Sequence, residues 1–188
     1  MRPRVTEVIF RLEAFMATVD DALALPREAA EFLHALVLAT GARRVVEIGT
    51  SYGYSGLWIA AALAETNGRL VTIDHSERKT ELARDNFRQA GLDSSVEFRT
   101  GEAADLLSGV EGPIDLVLND ADKENCAVYV EMLLPKLSDR AVVLTDNTIT
   151  HRTQLEEFVR WIRSHPRFAS AGIPIGNGME MSVHRAAR

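Results

Sequence analysis

Between residues 44 and 145, five short apolar runs are separated by stretches with helical spacing: RVVEI (44–48), RLVTI (69–73), SVEFR (95–99), IDLVLN (114–119) and RAVVLT (140–145). The intervening segments 54–65, 76–90, 102–108 and 124–137 read as helices. Strands alternating with helices at this spacing predict a parallel sheet covered on both faces. Two helices precede it. Val8, Leu12, Phe15 and Met16 recur at helical spacing, and Phe32, Leu33, Leu36 and Val37 share one face of a second helix after Pro26. After a helix over 153–164 the alternation breaks. Two β-like runs flank Gly176-Asn177-Gly178, and Asn-Gly between such runs signals a hairpin. The expected fold is α/β: a doubly wound, mostly parallel sheet ending in an antiparallel hairpin, with N-terminal helices. No repeat, low-complexity segment or linker divides it. Residues 1–188 therefore read as one domain, with helices over 1–40 and an α/β core over 41–188.

Composition narrows the function classes. The chain has 188 residues, 46% of them hydrophobic, enough for one well-packed core. Its net charge is −6, and no basic stripe with interleaved aromatics is present, which argues against nucleic acid as a partner. The longest apolar stretch, Leu57–Ala64, falls well short of the roughly 20 residues of a membrane span. Glu7, Arg11 and Glu13 interrupt any signal-peptide core. A single cysteine, Cys126, leaves no internal disulfide framework and no cysteine-based zinc site. The reading is a soluble, cytoplasmic protein.

VVEIGTSYGYSG (45–56) is a strand, a glycine loop and a helix start. Gly49, Gly53 and Gly56 would let backbone approach a ligand at the strand's carboxyl end, although tight turns also use glycine for packing alone. Ser51 stands where a dinucleotide fingerprint has its middle glycine, which weakens a nicotinamide reading. The second strand ends in Asp74. A carboxylate there could accept from both hydroxyls of an adenosine ribose, or it could cap the next helix. Glu47 lies in an otherwise apolar strand, where a carboxylate without a partner is costly; it is expected to face the ligand.

LNDADK (118–123) and VVLTDN (142–147) end the fourth and fifth strands on the same edge. Asp120, Asp146 and Asn147 are thus expected to converge, and three hard oxygen donors suit Mg²⁺. The plainer reading of LNDADK is a solvated turn capping the next helix.

Taken together, VVEIGTSYGYSGLWIA, GRLVTID, TGEA, DLVLNDADKENCAVY, VVLTDN and IPIGNGMEMS resemble the metal-dependent O-methyltransferases of the catechol and caffeoyl-CoA type, particularly small bacterial members. These stretches span residues 45–182, and the terminal hairpin fits the Rossmann-like class I methyltransferase plan. The resemblance implies S-adenosylmethionine at Glu47, Gly49, Thr50, Ser55, Asp74, Ala103 and Asp122, with Gly53 in the same loop. It implies a divalent cation, Mg²⁺, at Asp120, Asp146 and Asn147. Lys123 matches the general base, working beside Asp120, and Tyr129 matches a substrate-side position. The implied reaction is methyl transfer to a hydroxyl of a small ortho-dihydroxy aromatic or similar acceptor, in an enzyme that could be a homodimer.

The chain departs from that pattern in places. Relatives insert a loop over the substrate after the position of Asn147, whereas here the next helix follows almost at once. The N-terminal segment is also short. Both features predict an open cleft that favours bulky polyphenolic acceptors over free catechol. Cys126 replaces a frequent tyrosine and reads as core or pocket wall. His151 could reach the substrate or be a solvated loop residue, and Trp58 and Trp161 read as core. Three other functions compete: a metal-independent methyltransferase on another acceptor, a non-catalytic S-adenosylmethionine-binding module, and a nicotinamide oxidoreductase. Lys123 argues against the binding module, since cofactor binding needs no base.

Overall fold

The computed structural model describes residues 1–22 and 24–186. Within them lie seven strands: β1 (Arg44–Ile48), β2 (Arg69–Asp74), β3 (Val96–Thr100), β4 (Ile114–Asn119), β5 (Leu137–Asp146), β6 (Phe168–Ile173) and β7 (Met179–His184). They form one sheet in the order β3-β2-β1-β4-β5-β7-β6. β1 to β5 pair in parallel, and β7 runs antiparallel between β5 and β6. Helices α1 (Pro3–Met16), α2 (Arg27–Thr40), α3 (Tyr54–Thr66) and α4 (Glu77–Ala90) cover one face, burying Leu12, Leu33, Leu57 and Phe87 against it. On the other face α5 (Ala103–Leu107), α6 (Cys126–Leu133) and α7 (Arg152–Ser164) bury Leu107, Leu133, Leu155 and Ile162. Strand residues divide accordingly, Val45 and Leu116 toward the first layer and Val46 and Val117 toward the second. No helix among the described residues is long and apolar enough to cross a membrane.

The strand order reverses between β1 and β4. Connections leave these neighbours toward opposite faces, which opens a crevice at their carboxyl ends. Strand burial is strongest here: Val45, Val46, Leu116, Val117 and Leu118 are all 0% exposed. The site is therefore built on the most deeply buried part of the sheet.

Two boundaries differ from the sequence expectation. The helix expected over 124–137 stops at Leu133 and passes through a 3₁₀ turn at Leu134–Lys136. Pro135 supplies the reason, because a helix-interior proline lacks the N–H and clashes with the preceding turn. The strand expected to start at 140 consequently starts at Leu137, which pairs with Ile114 before a register shift. The terminal hairpin forms around Gly176-Asn177-Gly178 as expected: residues 174–178 connect the arms, with Gly176 and Gly178 at φ 53° and 85°.

Candidate active site

A cleft of about 610 Å³ opens at the carboxyl edge of the sheet, and the exits of β1 to β5 all feed it. The glycine loop is fitted tightly against the exit of β4. Gly49 has φ 106°, and a Cβ there would lie 2.5 Å from the Asp120 carbonyl oxygen. The Asp120 N–H donates to Ile48 O at 3.0 Å. Gly49 is thus needed for close backbone approach, and it sets Asp120 beside the loop.

Asp74 resolves into a specific role. Its Oδ2 accepts from the Ser51 N–H at 2.7 Å and its Oδ1 from the Ser76 N–H at 2.8 Å. The helix cap is Ser76, whose Oγ accepts from the Lys79 N–H at 3.3 Å. Asp74 therefore ties the glycine loop to the entry of α4 while still lining the cleft. Gly53 stands apart from its expected place. It is not among the cleft-lining residues, and a Cβ would meet Phe87 Cε2 at 3.0 Å and Ala83 Cβ at 3.1 Å. That glycine serves the packing of α3 on α4.

Glu47 is fully buried and does not line the cleft. It accepts from Ser55 Oγ at 2.5 Å and Thr72 Oγ1 at 2.6 Å, and Thr72 Oγ1 lies 2.5 Å from Thr50 Oγ1. Ser55 and Thr50 do line the cleft, so Glu47 supports the loop from beneath. Burial pushes its pKa up to about 7; the Ser55 and Thr72 hydroxyls oppose that rise, and the charges of Asp120 and Asp74 add to it. An acid whose pKa is raised on folding binds more protons when folded, so stability falls as pH climbs from about 4.5 toward 7. Glu47→Gln should therefore melt close to wild type at pH 5. It should be the more stable protein at pH 8, by about 3 kcal/mol at most. Melting curves that stay parallel across this range would exclude a charged Glu47 as a cost to the fold.

The acids at the ends of β4 and β5 meet as expected. Asp120 Oδ1 accepts from Lys123 Nζ at 2.9 Å and from Asn147 Nδ2 at 2.9 Å. The same Asn147 amide donates to Asp146 Oδ2 at 2.7 Å. Asp146 is only 1% exposed, and its Oδ1 is buried with no hydrogen-bond partner. Burial, followed by the charge of Asp120, pushes the Asp146 pKa up to about 6. Burial also raises that of Asp120, against the pull of Lys123. Among the described residues no three His, Cys, Asp or Glu side chains gather as a metal site; this set is two carboxylates and a carboxamide. The orphaned Asp146 oxygen and the paired acids nonetheless fit a hard divalent cation, which prefers oxygen donors. Asn147 would then present its amide oxygen, where here its amide nitrogen bridges the two acids.

LNDADK thus divides its labour. Asp120 and Lys123 turn into the cleft, each with a side chain 15% exposed. Asp122 lines the cleft too, yet it also makes the helix-entry contacts of the plainer reading. Its Oδ1 accepts from the Glu124 N–H at 3.0 Å, and its Oδ2 from Tyr129 Oη at 3.2 Å and from the Asn125 amide. Burial alone would raise its pKa, but these donors outweigh it and hold the carboxylate below its usual range. Tyr129 lines the cleft with its hydroxyl committed to Asp122, and burial pushes its pKa up to about 12. Ala103 opens α5 at the cleft wall. Cys126, the first residue of α6, is core, and His151 lines the cleft with Nδ1 3.2 Å from Thr150 Oγ1.

One wall has no counterpart in the sequence reading. Met16, Ala22, Ala24 and Leu25, from the end of α1 and the connector to α2, line the cleft. Asp21 fastens this connector: its Oδ1 accepts from Tyr52 Oη at 2.7 Å and its carbonyl from Lys79 Nζ at 2.8 Å. The cleft is therefore less open than the missing loop suggests.

Comparison with known proteins meets this geometry directly. The sequence model of the O-methyltransferase family matches residues 10–185. The chain belongs to the O-methyltransferase family. That match runs from within α1 to past the end of β7, so it includes the connector as well as the five strand exits. A catechol O-methyltransferase of Mycobacterium tuberculosis is 42% identical over 136 residues, covering 69% of this chain and 61% of that protein. One from Niastella koreensis is 35% identical over 131 residues, covering 68% and 59%. The chain thus spans about three-fifths of the length of these curated relatives. Among solved structures, an O-methyltransferase from Bacillus cereus in complex with SAH superposes with a TM-score of 0.86 at 30% identity, covering 98% of this chain and 92% of that one. Cofactor-bound Rv0187 from MTB gives 0.89 at 29% identity, covering 96% and 91%. These likenesses make a class I methyltransferase fold of the seven-stranded sheet with its antiparallel end.

Proposed function

We propose that this O-methyltransferase-family protein transfers the methyl group of S-adenosylmethionine to one hydroxyl of a small ortho-dihydroxy aromatic acceptor, with Mg²⁺ or another divalent cation in the site. The observation that carries the reading is the pairing of Asp120 with the buried Asp146, one of whose oxygens is unpartnered, beside Lys123 in the cleft that the glycine loop and Asp74 also line. The named activity of the catechol O-methyltransferase relatives and the SAH held by the Bacillus cereus structure support it.

When bound, the sulfonium donor supplies the methyl group, and the cation supplies a Lewis acid that makes a bound hydroxyl more acidic. Everything else falls to this chain. Asp120, Asp146 and Asn147 would hold the cation, and Asp74 would accept from the ribose hydroxyls, its lone pairs being only partly used by Ser51 and Ser76. Lys123 Nζ would take the acceptor's proton as general base. Its ion-pair partner among the described residues is Asp120, which would also hold the cation, so a bound cation would compete with Lys123 for that carboxylate. The Leu25 wall and the loop that Glu47 supports would orient donor and acceptor, which is most of what such a transfer needs.

Side-by-side calorimetry with S-adenosylmethionine and NAD tests the donor assignment: binding of the first alone is expected, and binding of NAD alone would remove the methyltransferase reading. Asp74→Ala should weaken S-adenosylmethionine binding by about 1.5–3 kcal/mol, the loss of hydrogen bonds to a charged group. Unchanged affinity in the folded variant would leave Asp74 with its loop-tying role alone.

A further inference from the structure

We propose that the Gly176-Asn177-Gly178 turn is a positioning element for the cation-binding set, holding the loop after β5 so that Asn147 lies against Asp120 and Asp146. The proposal rests on the cation reading above. Asp146 faces Met179 across the β5–β7 ladder, so the ladder leads from one candidate ligand straight into the turn. Pairing does not stop there. The Thr148 N–H donates to Gly178 O at 3.0 Å, and the N–H groups of Ile149 and Thr150 donate to Asn177 O at 2.9 and 3.3 Å. These donors are the three residues that follow Asn147, whose own φ is 70°.

A left-handed backbone at a residue other than glycine needs support from its surroundings. Here that support comes from two sides: the turn holds residues 148–150, and the His151 N–H returns to Asn147 O at 2.8 Å. The turn in turn is closed by the Gly178 N–H donating to Ile175 O at 2.8 Å.

Space around the turn is as constrained as its hydrogen bonding. A Cβ on Gly178 would run into Ile149 Cγ1 and lie 2.8 Å from the Ile149 nitrogen, with φ already at 85°. A Cβ on Gly176 would meet Pro26 Cγ at 3.0 Å and Ala29 Cβ at 3.1 Å. The turn is thus wedged between the loop that follows the candidate cation ligands and the entry of α2. Leu25, on the cleft wall, immediately precedes that entry, and Asn177 itself lines the cleft. One short turn therefore buttresses two walls of the site without being an expected ligand.

The test is Mn²⁺ binding to the purified protein, followed by electron paramagnetic resonance of the free ion, with S-adenosylmethionine affinity measured alongside by calorimetry. Gly178→Ala should raise the Mn²⁺ dissociation constant at least tenfold while S-adenosylmethionine affinity stays within twofold. Adding Ile149→Ala, which removes the offending Cγ1, should recover part of the Mn²⁺ affinity. If Gly178→Ala does not fold, a glycine inserted after Asn177 shifts the same three hydrogen bonds without adding a side chain, and it should weaken Mn²⁺ binding in the same selective way. A wild-type protein that binds no Mn²⁺ would overturn the cation reading itself. Wild-type binding that these variants leave within twofold would overturn the role of the turn alone. A parallel loss of S-adenosylmethionine affinity would overturn it too, by showing general damage in place of positioning.

Discussion

Lys123→Ala is expected to lower kcat by about 10²–10⁴, the usual contribution of a positioned general base. The S-adenosylmethionine affinity should stay near wild type, because the ion-pair partner of Lys123 is Asp120, a proposed cation ligand. The deficit should shrink as pH rises, when hydroxide or an already ionised acceptor can take over. Lys123→Arg separates charge from basicity. It keeps a cation beside Asp120 but cannot give up its proton, so it should be nearly as slow as the alanine variant. Wild-type turnover in either variant would remove Lys123 from proton transfer and leave it as a partner of Asp120.

Asp146→Asn should separate function from stability. In the metal-free protein Asp146 is a buried carboxylate with one oxygen unpartnered and Asp120 as a charged neighbour. Its pKa of about 6 means that ionisation is a cost to the fold near neutrality. Linkage fixes the sign: the folded chain holds this proton more tightly, so stability falls as pH rises from the ordinary aspartate range toward 6. Replacing the carboxylate with an amide should therefore raise the melting temperature of the metal-free protein at pH 8, by a gain of up to about 3 kcal/mol. The same variant should lose cation-dependent methyl transfer while S-adenosylmethionine affinity remains. A variant that is less stable without metal would mean that Asp146 is a structural anchor. One that is fully active would take it out of the cation set.

The parts of this account that were legible in the sequence share a physical basis. Strand–helix alternation is a local signal, and each apolar run from RVVEI to IDLVLN became a strand within a residue of its expected place. Strand-end residues are equally readable, because parallel strands must release their carboxyl ends on one edge; Asp74, Asp120 and Asp146 all reached the cleft on that logic. What stayed hidden depends on contacts between distant segments. Gly53 looks like a ligand glycine until Ala83 and Phe87 of α4 come against it. Glu47 looks like a ligand carboxylate until Thr72, on the neighbouring strand, and Ser55, on the following helix, take its oxygens. The connector that supplies Ala22, Ala24 and Leu25 carries no periodicity at all, and its position over the cleft depends on Asp21 meeting Tyr52 and Lys79. Pro135 is visible in the sequence, but the start of β5 depends on Leu137 pairing with Ile114 on the neighbouring strand.

The expected preference for large polyphenols rests on an open cleft, and Leu25 and Met16 wall part of it. The central claim is that donor, cation and acceptor meet at Lys123. It is tested most directly by transfer of a labelled methyl group from S-adenosylmethionine to catechol, with Mg²⁺ present and again after EDTA. The account predicts labelled product with Mg²⁺, none after chelation, and recovery when Mg²⁺ is restored. Undiminished transfer in EDTA, or no transfer to catechol or larger ortho-dihydroxy aromatics with Mg²⁺ present, would contradict it.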